Sequence, residues 1–335
     1  MPITLEQSKV GLTDHVDQQV IDEFRRDSFI LDHLTFDNAV SPGTGGSTLT
    51  YGYLQLKTPS VAEGRKLNSE YTAGEAVKTQ KTTNLKIFGG AYEVDRVLED
   101  TAASSEIAFQ LAQKIIAVKN KIHYDFINGK STAKGTAATD NTSFDGLDVL
   151  VKGTNTEEKN ADAVFDLSTA AKIKENADAF TFALDSWLST FSVKPDALLV
   201  NRKTATVLKT IAKMQGYYTR SENSFGQGVD NYDGIAIVDM GEYYNGTKSV
   251  MCVPIDNSTG TTSIYAAKFG LDAVHAVSPQ GQKIIHQYMP NLSEPGAVKK
   301  GEVEMIASIV SKDTTKAGVF RNVQVAPVAA AREGS

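Results

Sequence analysis

Residues 100–129 contain a long helical pattern, and the rest of the chain is arranged around it. Apolar side chains recur there at steps of three and four, which places them on one face of an α-helix. They are Ile107, Leu111, Ile115, Val118, Ile122 and Phe126. Thr101, Ser104 or Ser105 can cap the start, and Gly129 is predicted to end the helix in the left-handed conformation. Such a helix is about 40 Å long, and it is either an ordinary core helix or a structural spine.

Two stretches before this helix alternate between apolar and polar residues, as β-strands do. They are residues 48–56 and 82–94, and the segment between them is charged and poor in large apolar residues. The pattern predicts one long two-stranded hairpin with a polar tip around residues 63–78. Two strands alone are marginally stable in water, so the hairpin needs a further surface, either its own sheet or a neighbouring subunit.

An acidic leader, residues 1–36, precedes the hairpin. Its second part, residues 14–36, has a partly amphipathic helical pattern, and its main basic residues are Arg25 and Arg26. We expect an extended arm followed by a helix. The arm has too little apolar surface to fold alone, so it docks either on its own domain or across a neighbour.

The second half of the chain predicts a compact α/β unit and then a series of strands. The unit has helices at 167–191 and 203–214 and strands at 196–200 and 234–239, with an aromatic, glycine-containing loop at 217–232. Further strands are predicted at 249–255, 262–269, 274–278, 284–289, 302–310 and 319–325. These patterns together predict an α+β protein.

Composition limits the functional classes. The 335-residue chain has a net charge of -6, which argues against a protein whose main task is to grip nucleic acid electrostatically. Its single cysteine, Cys252, excludes a disulfide framework and is expected to be buried and inert. We expect no signal peptide and no membrane span.

No motif for catalysis, cofactor binding or metal binding is recognisable. The five histidines are scattered, and the glycine-rich segment 41–46 lacks the GK[ST] ending of a phosphate-binding loop. The spacing of Asp140, Asn141 and Asp145 does not fit a calcium loop. We therefore predict no enzyme, no cofactor and no metal site, although a carboxylate pair could be hidden among the many acidic residues.

Tyr217, Tyr218 and Arg220 form an aromatic and basic group in the loop of the α/β unit. Aromatic rings beside a cation can stack on nucleic-acid bases. An aromatic loop at a protein interface is the preferred interpretation.

Several short motifs follow one another in a recognisable order. They are Ala62-Glu63-Gly64 in the hairpin tip, FDGL at 144–147, VNRKTATVL at 200–208 and YDGIAIVD at 232–239. Together with the acidic arm, the hairpin and the long helix, they resemble the major capsid proteins of tailed bacteriophages, which have the Hong Kong 97-type fold.

The resemblance implies a division of the chain into named parts. It implies an N-terminal arm at 1–40, an E-loop hairpin at 41–95, and the spine helix with the first part of the P-domain at 96–166. The A-domain would be 167–250, and 251–335 would return through the A-domain edge and the P-domain to a frayed tail.

The resemblance also implies a function and partners. The protein would self-assemble into hexamers and pentamers that form an icosahedral shell around phage double-stranded DNA, as part of a virion assembled in the bacterial cytoplasm. Expected partners are further copies of the chain, a portal, a decoration protein and packaged DNA without sequence-specific binding, with no membrane. Because the arm begins almost at Met1, the resemblance implies a separate scaffolding protein or none.

Candidate contacts between subunits follow from the same resemblance. Hairpin-tip contacts would be Glu63, Arg65, Lys66 and Glu70; Arg25 and Arg26 would act in the arm, and Tyr217, Tyr218 and Arg220 near the capsomer axis. Some members of the family link a hairpin lysine covalently to an asparagine of a neighbour. None of the hairpin lysines can be matched to that role, so we predict no covalent crosslinking.

Two alternatives remain from the sequence. An encapsulin-like compartment shell would have the same fold but hold a cargo protein. A soluble α/β enzyme with an unrecognised site would form a small discrete oligomer.

Overall fold

The computed structural model describes most of the chain and contains helices together with several sheets. The described residues are 28–39, 48–58, 60–72, 74–101, 105–131, 142–160, 164–216, 219–222, 228–279 and 284–327. Their helices are α1 (Phe29–His33), α2 (Arg96–Thr101), α3 (Glu106–Asn128), α4 (Leu147–Leu150), α5 (Ala170–Leu188) and α6 (Arg202–Met214). The predicted α+β class is confirmed.

Two large sheets form the body of the protein, and two small hairpins accompany them. The five-stranded sheet contains β1 (Phe36–Asn38), β4 (Lys86–Asp95), β14 (Val274–Ser278), β15 (Ile285–Tyr288) and β16 (Val298–Ser311). The eight-stranded sheet contains β5 (Glu157–Glu158), β6 (Phe165–Asp166), β7 (Ala197–Val200), β8 (Thr219–Glu222), β9 (Gly228–Tyr232), β10 (Ile235–Asp239), β13 (Thr261–Ala267) and β17 (Ala317–Gln324). The hairpins are β2 (Thr50–Thr58) with β3 (Val77–Asn84), and β11 (Glu242–Tyr244) with β12 (Ser249–Met251).

The long central helix is divided into α2 and α3, and α3 alone spans 23 residues, or about 34 Å. Its apolar face is buried as predicted, against β4 and β16. Ser105 is the N-cap, and its hydroxyl accepts from Ala108 N at 3.2 Å. The predicted left-handed ending is wrong, because Gly129 has φ -56° and ψ 142°. Glycine is needed there for a close approach, since a Cβ would lie 2.3 Å from the Phe144 carbonyl oxygen.

A carboxylate from the preceding helix completes the cap of α3. Glu99 accepts from the amides of Glu106 and Ile107 at 2.9 and 3.1 Å and from the Ser105 hydroxyl at 2.7 Å. First-turn amides have no partner within the helix, and a negative charge is favourable at this end of the helix dipole. Glu99 therefore joins α2 and α3.

Replacing Glu99 by alanine is expected to lower the free energy of unfolding by about 1–2 kcal/mol, because two helix amides lose their acceptor. Urea unfolding of the unassembled subunit at neutral pH measures the change. Glu99→Gln keeps an acceptor oxygen and should lose less than half as much. Equal losses for the two variants would contradict the capping role.

The strand pairing of the predicted hairpin differs from the expectation. β2 pairs with β3, from Thr50 opposite Asn84 to Thr58 opposite Val77, whereas β4 pairs with β16 in the body. The predicted strand 82–94 is thus split at Leu85, which is buried and donates its amide to the Leu49 carbonyl at 2.8 Å. β2 and β3 pair only with each other, and the base of this ribbon lies on the body, where Gln55 Nε2 donates to the Ser311 carbonyl at 3.2 Å and Thr83 Oγ1 lies 2.7 Å from Ser308 Oγ.

The helices and strands of the α/β unit lie where they were predicted, but the segment expected to be a loop at 217–232 contains the strands β8 and β9. Helices α5 and α6 begin at side-chain caps from Thr169 and Asn201, respectively. β7 and β10 are parallel neighbours, as expected for strands joined by a helix. The Trp187 indole is buried and donates to the Thr156 carbonyl at 2.9 Å.

Two polar contacts, the first half-buried and the second buried, connect elements that are distant in sequence. The Arg321 guanidinium of β17 bonds Asp148 Oδ1 at 2.8 Å and Glu157 Oε1 at 2.7 Å. Near the start of the described chain, Ser28 Oγ lies 2.6 Å from His123 Nε2 of α3. The first contact joins α4 to β5 and β17 of the eight-stranded sheet, and the second holds α1 against the spine helix.

Candidate assembly surfaces

The hairpin tip, residues 60–76 that connect β2 to β3, is exposed at all the positions whose side chains are described. A turn at its apex brings Ser69 N within 3.2 Å of the Lys66 carbonyl, with Asn68 in the left-handed region at φ 64°. Arg65 donates to the Ser69 carbonyl at 3.0 Å, and its guanidinium lies 5.5 Å from the Tyr71 ring centre. The tip therefore has a defined local shape without support from the body.

Apolar side chains are exposed along the same hairpin. Leu67 at the apex is 91% exposed, Tyr71 is 64% exposed and Leu54 on β2 is 60% exposed. Side chains of this size in water contribute nothing to the stability of the isolated subunit. An exposed apolar surface with a rim of charged groups is typical of a protein–protein contact.

The outer face of β4, β15 and β16 is an open acidic surface. Directly paired residues point to the same side of an antiparallel sheet, and Glu93 is paired with Lys300, while Glu304 is paired with His286. Glu302 lies on the same face and accepts from Lys300 at 2.6 Å. No hydrogen bond or ion pair within the described residues involves the Glu304 side chain. We call Glu93, Glu302 and Glu304 the acidic sheet face.

Small and apolar residues surround these carboxylates. At the centre of the face, β4 has only small residues: Gly89 is paired with Glu304 and Ala91 with Glu302, so no large side chain projects there. Tyr288, opposite Glu302, is 56% exposed. This combination of shallow relief, negative charge and exposed aromatic surface suits a basic partner that also presents an apolar side chain.

Only one of the three residues predicted near the capsomer axis can be located. Arg220 lies exposed on β8, the last strand of the eight-stranded sheet, opposite Asp230 of β9. Its side chain covers Gly228, where a Cβ would lie 2.3 Å from the guanidinium nitrogen Nε. Tyr217 and Tyr218 lie outside the described residues.

The residues predicted as hairpin contacts lie together in the structure, whereas those predicted in the arm are outside the described residues. Glu63, Arg65, Lys66 and Glu70 all lie in the exposed tip. Arg25 and Arg26 lie outside the described residues. The acidic sheet face was missed from the sequence, although the alternation of residues 302–306 places both glutamates on one side of a strand.

The remaining candidate groups have ordinary structural environments. Burial, with a smaller contribution from nearby carboxylates, raises the pKa of the Cys252 thiol to about 12, so it is an unreactive thiol at neutral pH. Among the described histidines, aspartates, glutamates and the cysteine, no group of three or more could hold a metal ion. No helix in the described stretches is long and apolar enough to cross a membrane.

Comparison with solved structures identifies the fold. The chain is similar to the holo-SrpI encapsulin complex from Synechococcus elongatus PCC 7942, with a TM-score of 0.56, 15% identity, and 91% of this chain and 90% of that chain covered. It is similar to the capsid of a native GTA particle, with a TM-score of 0.54, 11% identity and coverage of 88% and 89%. A structure from Mycobacterium phage Bobi matches with a TM-score of 0.51, 13% identity and coverage of 92% and 91%. The protein thus has the Hong Kong 97-type fold of phage capsids and encapsulins.

A family model distinguishes between these shell proteins. The model of the SU10 major capsid protein matches residues 30–243, and the chain belongs to this family. No curated protein matches the chain at a significant level. The protein is accordingly a structural, non-enzymatic major capsid protein of a tailed-phage type, and it builds the shell of a virion capsid.

Proposed function

We propose that this capsid protein assembles as hexameric and pentameric capsomers into an icosahedral shell around double-stranded DNA, in the cytoplasm of the bacterial host. The observation that carries the proposal is the β2–β3 hairpin with its exposed apolar tip. A two-stranded ribbon is marginal alone and needs a second surface. In a closed symmetric shell each subunit receives the same contact that it gives, so a neighbouring copy provides that surface.

The named parts of the fold keep their predicted limits in this proposal. The arm is 1–40, the E-loop 41–95, the first P-domain part 96–166, the A-domain 167–250 and the returning segment 251–335. Further partners in the proposal are a separate scaffolding protein, a portal and a decoration protein. Packaged DNA lies near the wall without sequence-specific contacts, consistent with the net charge of -6.

The apex of the hairpin tip, from Arg65 to Leu67, is complementary to the acidic sheet face, whereas Glu63, Glu70 and Glu75 beside it give residues 60–76 a net charge of -1. Arg65 and Lys66 provide two positive charges beside the exposed Leu67. The acidic sheet face offers the Glu93 and Glu304 carboxylates beside the exposed Tyr288, while Glu302 is already bound to Lys300. We therefore propose that the tip of one subunit lies on the acidic sheet face of the next. Each exposed charge pair stabilises weakly, but the contact is repeated over the whole shell.

Electron microscopy of the purified protein tests shell formation, with reversed charges at the tip as the variant. Arg65→Glu with Lys66→Glu is expected to raise the protein concentration needed for assembly about tenfold, because two favourable pairs of about 0.7 kcal/mol each are lost. Glu93→Lys with Glu304→Lys should have a similar effect alone. All four changes together should recover most of the assembly.

A matched control changes the net charge by the same amount as the tip variant, but at residues outside both surfaces. Lys174→Glu with Lys248→Glu alters two exposed lysines outside both surfaces and should leave assembly unchanged. If the variant with all four charge reversals does not regain assembly, the pairing of tip and sheet face is rejected while the shell proposal stays intact. Discrete monomers or dimers of the unaltered protein, with and without a scaffolding protein, would reject the shell proposal. Purified shells that contain cargo protein and no nucleic acid would support the encapsulin alternative.

A further inference from the structure

A cleft of about 460 Å³ lies between the base of the hairpin and the loop that follows α4. Its wall includes Tyr53 of β2, Lys81 and Thr82 of β3, and Lys152 and Gly153 after α4. These residues come from two parts of the fold that are otherwise joined mainly through the body sheet. A ligand in this cleft would contact both parts at once.

The side chain of Tyr53 lines this cleft and is mostly buried. It is only 7% exposed, and its hydroxyl makes no hydrogen bond with any described residue. Burial, assisted by the nearby Asp145 carboxylate, raises the pKa of Tyr53, so the hydroxyl is a donor at neutral pH. The hydroxyl is not among the buried polar atoms that lack a partner, so it opens onto the cleft, where a ligand can provide its acceptor.

Two lysines add positive charge to the same cleft. Neither the Lys81 nor the Lys152 ammonium group is within an ion pair or hydrogen bond of the described residues, and both are solvent-accessible. Asp145 is the single carboxylate among the lining residues, and its Oδ1 already accepts from Ser131 N at 2.7 Å. The lining residues therefore have a net charge of plus one and a surplus of donors.

We propose that this cleft binds a phosphate-type oxyanion. Such a ligand offers several acceptor oxygens and negative charge, which match the phenol hydroxyl and the two ammonium groups. A cation is disfavoured because three of these groups are donors or positive charges. The bound anion connects β3 to the loop after α4 and so fastens the base of the hairpin to the body.

The test uses inorganic phosphate and the full chain in its unassembled form, so it does not depend on shell formation. Phosphate titrated at constant ionic strength against chloride should raise the unfolding temperature in a saturable manner. Tyr53→Phe should weaken the apparent affinity about tenfold, because it removes one hydrogen bond to a charged group but keeps the ring. Lys81→Met with Lys152→Met should abolish the phosphate-dependent shift.

Matched variants remove the same groups elsewhere. Tyr244→Phe and Lys248→Met change an exposed phenol and an exposed ammonium outside the cleft and should retain the full response to phosphate. An unsaturable response, or an unchanged response in the Tyr53 and lysine variants, would overturn the proposal.

A further arm of the experiment distinguishes a free ion from a nucleic-acid phosphate. Phosphorus NMR of the phosphate-bound protein is recorded with and without a short oligothymidylate. Displacement of phosphate by the oligonucleotide, lost in the double lysine variant, identifies the backbone of a nucleic acid as the source. Undisturbed phosphate binding identifies the free ion, and no phosphate binding in either sample contradicts the site.

Discussion

Replacing Arg321 by methionine is expected to lower the free energy of unfolding by about 3 kcal/mol. Its guanidinium bonds Asp148 at 2.8 Å and Glu157 at 2.7 Å, and the Glu157 side chain is only 5% exposed. Methionine preserves most of the apolar packing of the side chain but leaves the mostly buried Glu157 carboxylate with only the Gly153 amide at 2.8 Å and the more distant Lys159 ammonium at 3.9 Å. Breaking a buried pair at one partner is costly because the remaining charge stays desolvated. Urea unfolding of the unassembled subunit at pH 7 measures the loss.

A comparison with an exposed ion pair tests the physical reason. Arg202 is 82% exposed and bonds Asp239 at 3.1 Å, so Arg202→Met should cost less than about 1 kcal/mol. Adding Glu157→Gln to Arg321→Met should recover part of the stability, since the orphaned charge is removed. Equal losses at Arg321 and Arg202, or a further loss from the added Glu157→Gln, would show that the buried charge is not the cause.

Acidification from pH 7 to pH 4 is expected to destabilise the subunit by about 3 kcal/mol through His123 alone. Burial lowers the pKa of His123 from its ordinary value of 6.5 to about 4, with a smaller contribution from the nearby Lys119. Between pH 6.5 and pH 4, the His123 ring is therefore protonated in the unfolded chain but neutral in the folded chain. The stability provided by the neutral ring is complete above pH 6.5 and is lost progressively as the pH falls through this window.

The variant His123→Gln isolates this contribution. Its unfolding free energy, measured by urea at pH 7, 5.5 and 4.5, should fall with acid by markedly less than that of the unaltered protein. Ser28→Ala is the control, because it removes the hydroxyl that lies 2.6 Å from His123 Nε2 but leaves the buried ring in place. The control should be less stable at every pH and still show the acid loss. An identical acid loss in the unaltered protein and in His123→Gln would contradict the prediction.

Elements with a strong periodic pattern were predictable from the sequence. The buried face of α3, from Ile107 to Phe126, follows directly from its spacing, and so do the helices α5 and α6. The ending at Gly129 was not predictable in the same way. Its glycine is required by the approach of the distant Phe144 carbonyl, and no local pattern contains that information.

Strand partners were less predictable than strands. Residues on both sides of Leu85 alternate alike, so the pattern could not reveal that β3 pairs with β2 and β4 with β16. A period of two fixes which side chains share a face, but it does not select the neighbouring strand.

The candidate surfaces, too, were predictable only where their residues are close in sequence. The charged tip of the hairpin was visible because Arg65, Lys66 and the acidic residues around them are close in sequence. The acidic sheet face and the cleft beside Tyr53 combine residues more than 50 positions apart, and their grouping depends on register and packing. The sequence contains those residues without indicating that they meet.

The division at Leu85 has a mechanical consequence. β3 leads directly into β4, and β4 shares ten paired positions with β16. Tension applied to the hairpin along β3 therefore reaches the body as shear, which strains all ten positions simultaneously. Tension across the sheet would instead separate them one after another, at much lower force. The β2–β3 ribbon therefore resists a force along β3 far better than a force across the sheet.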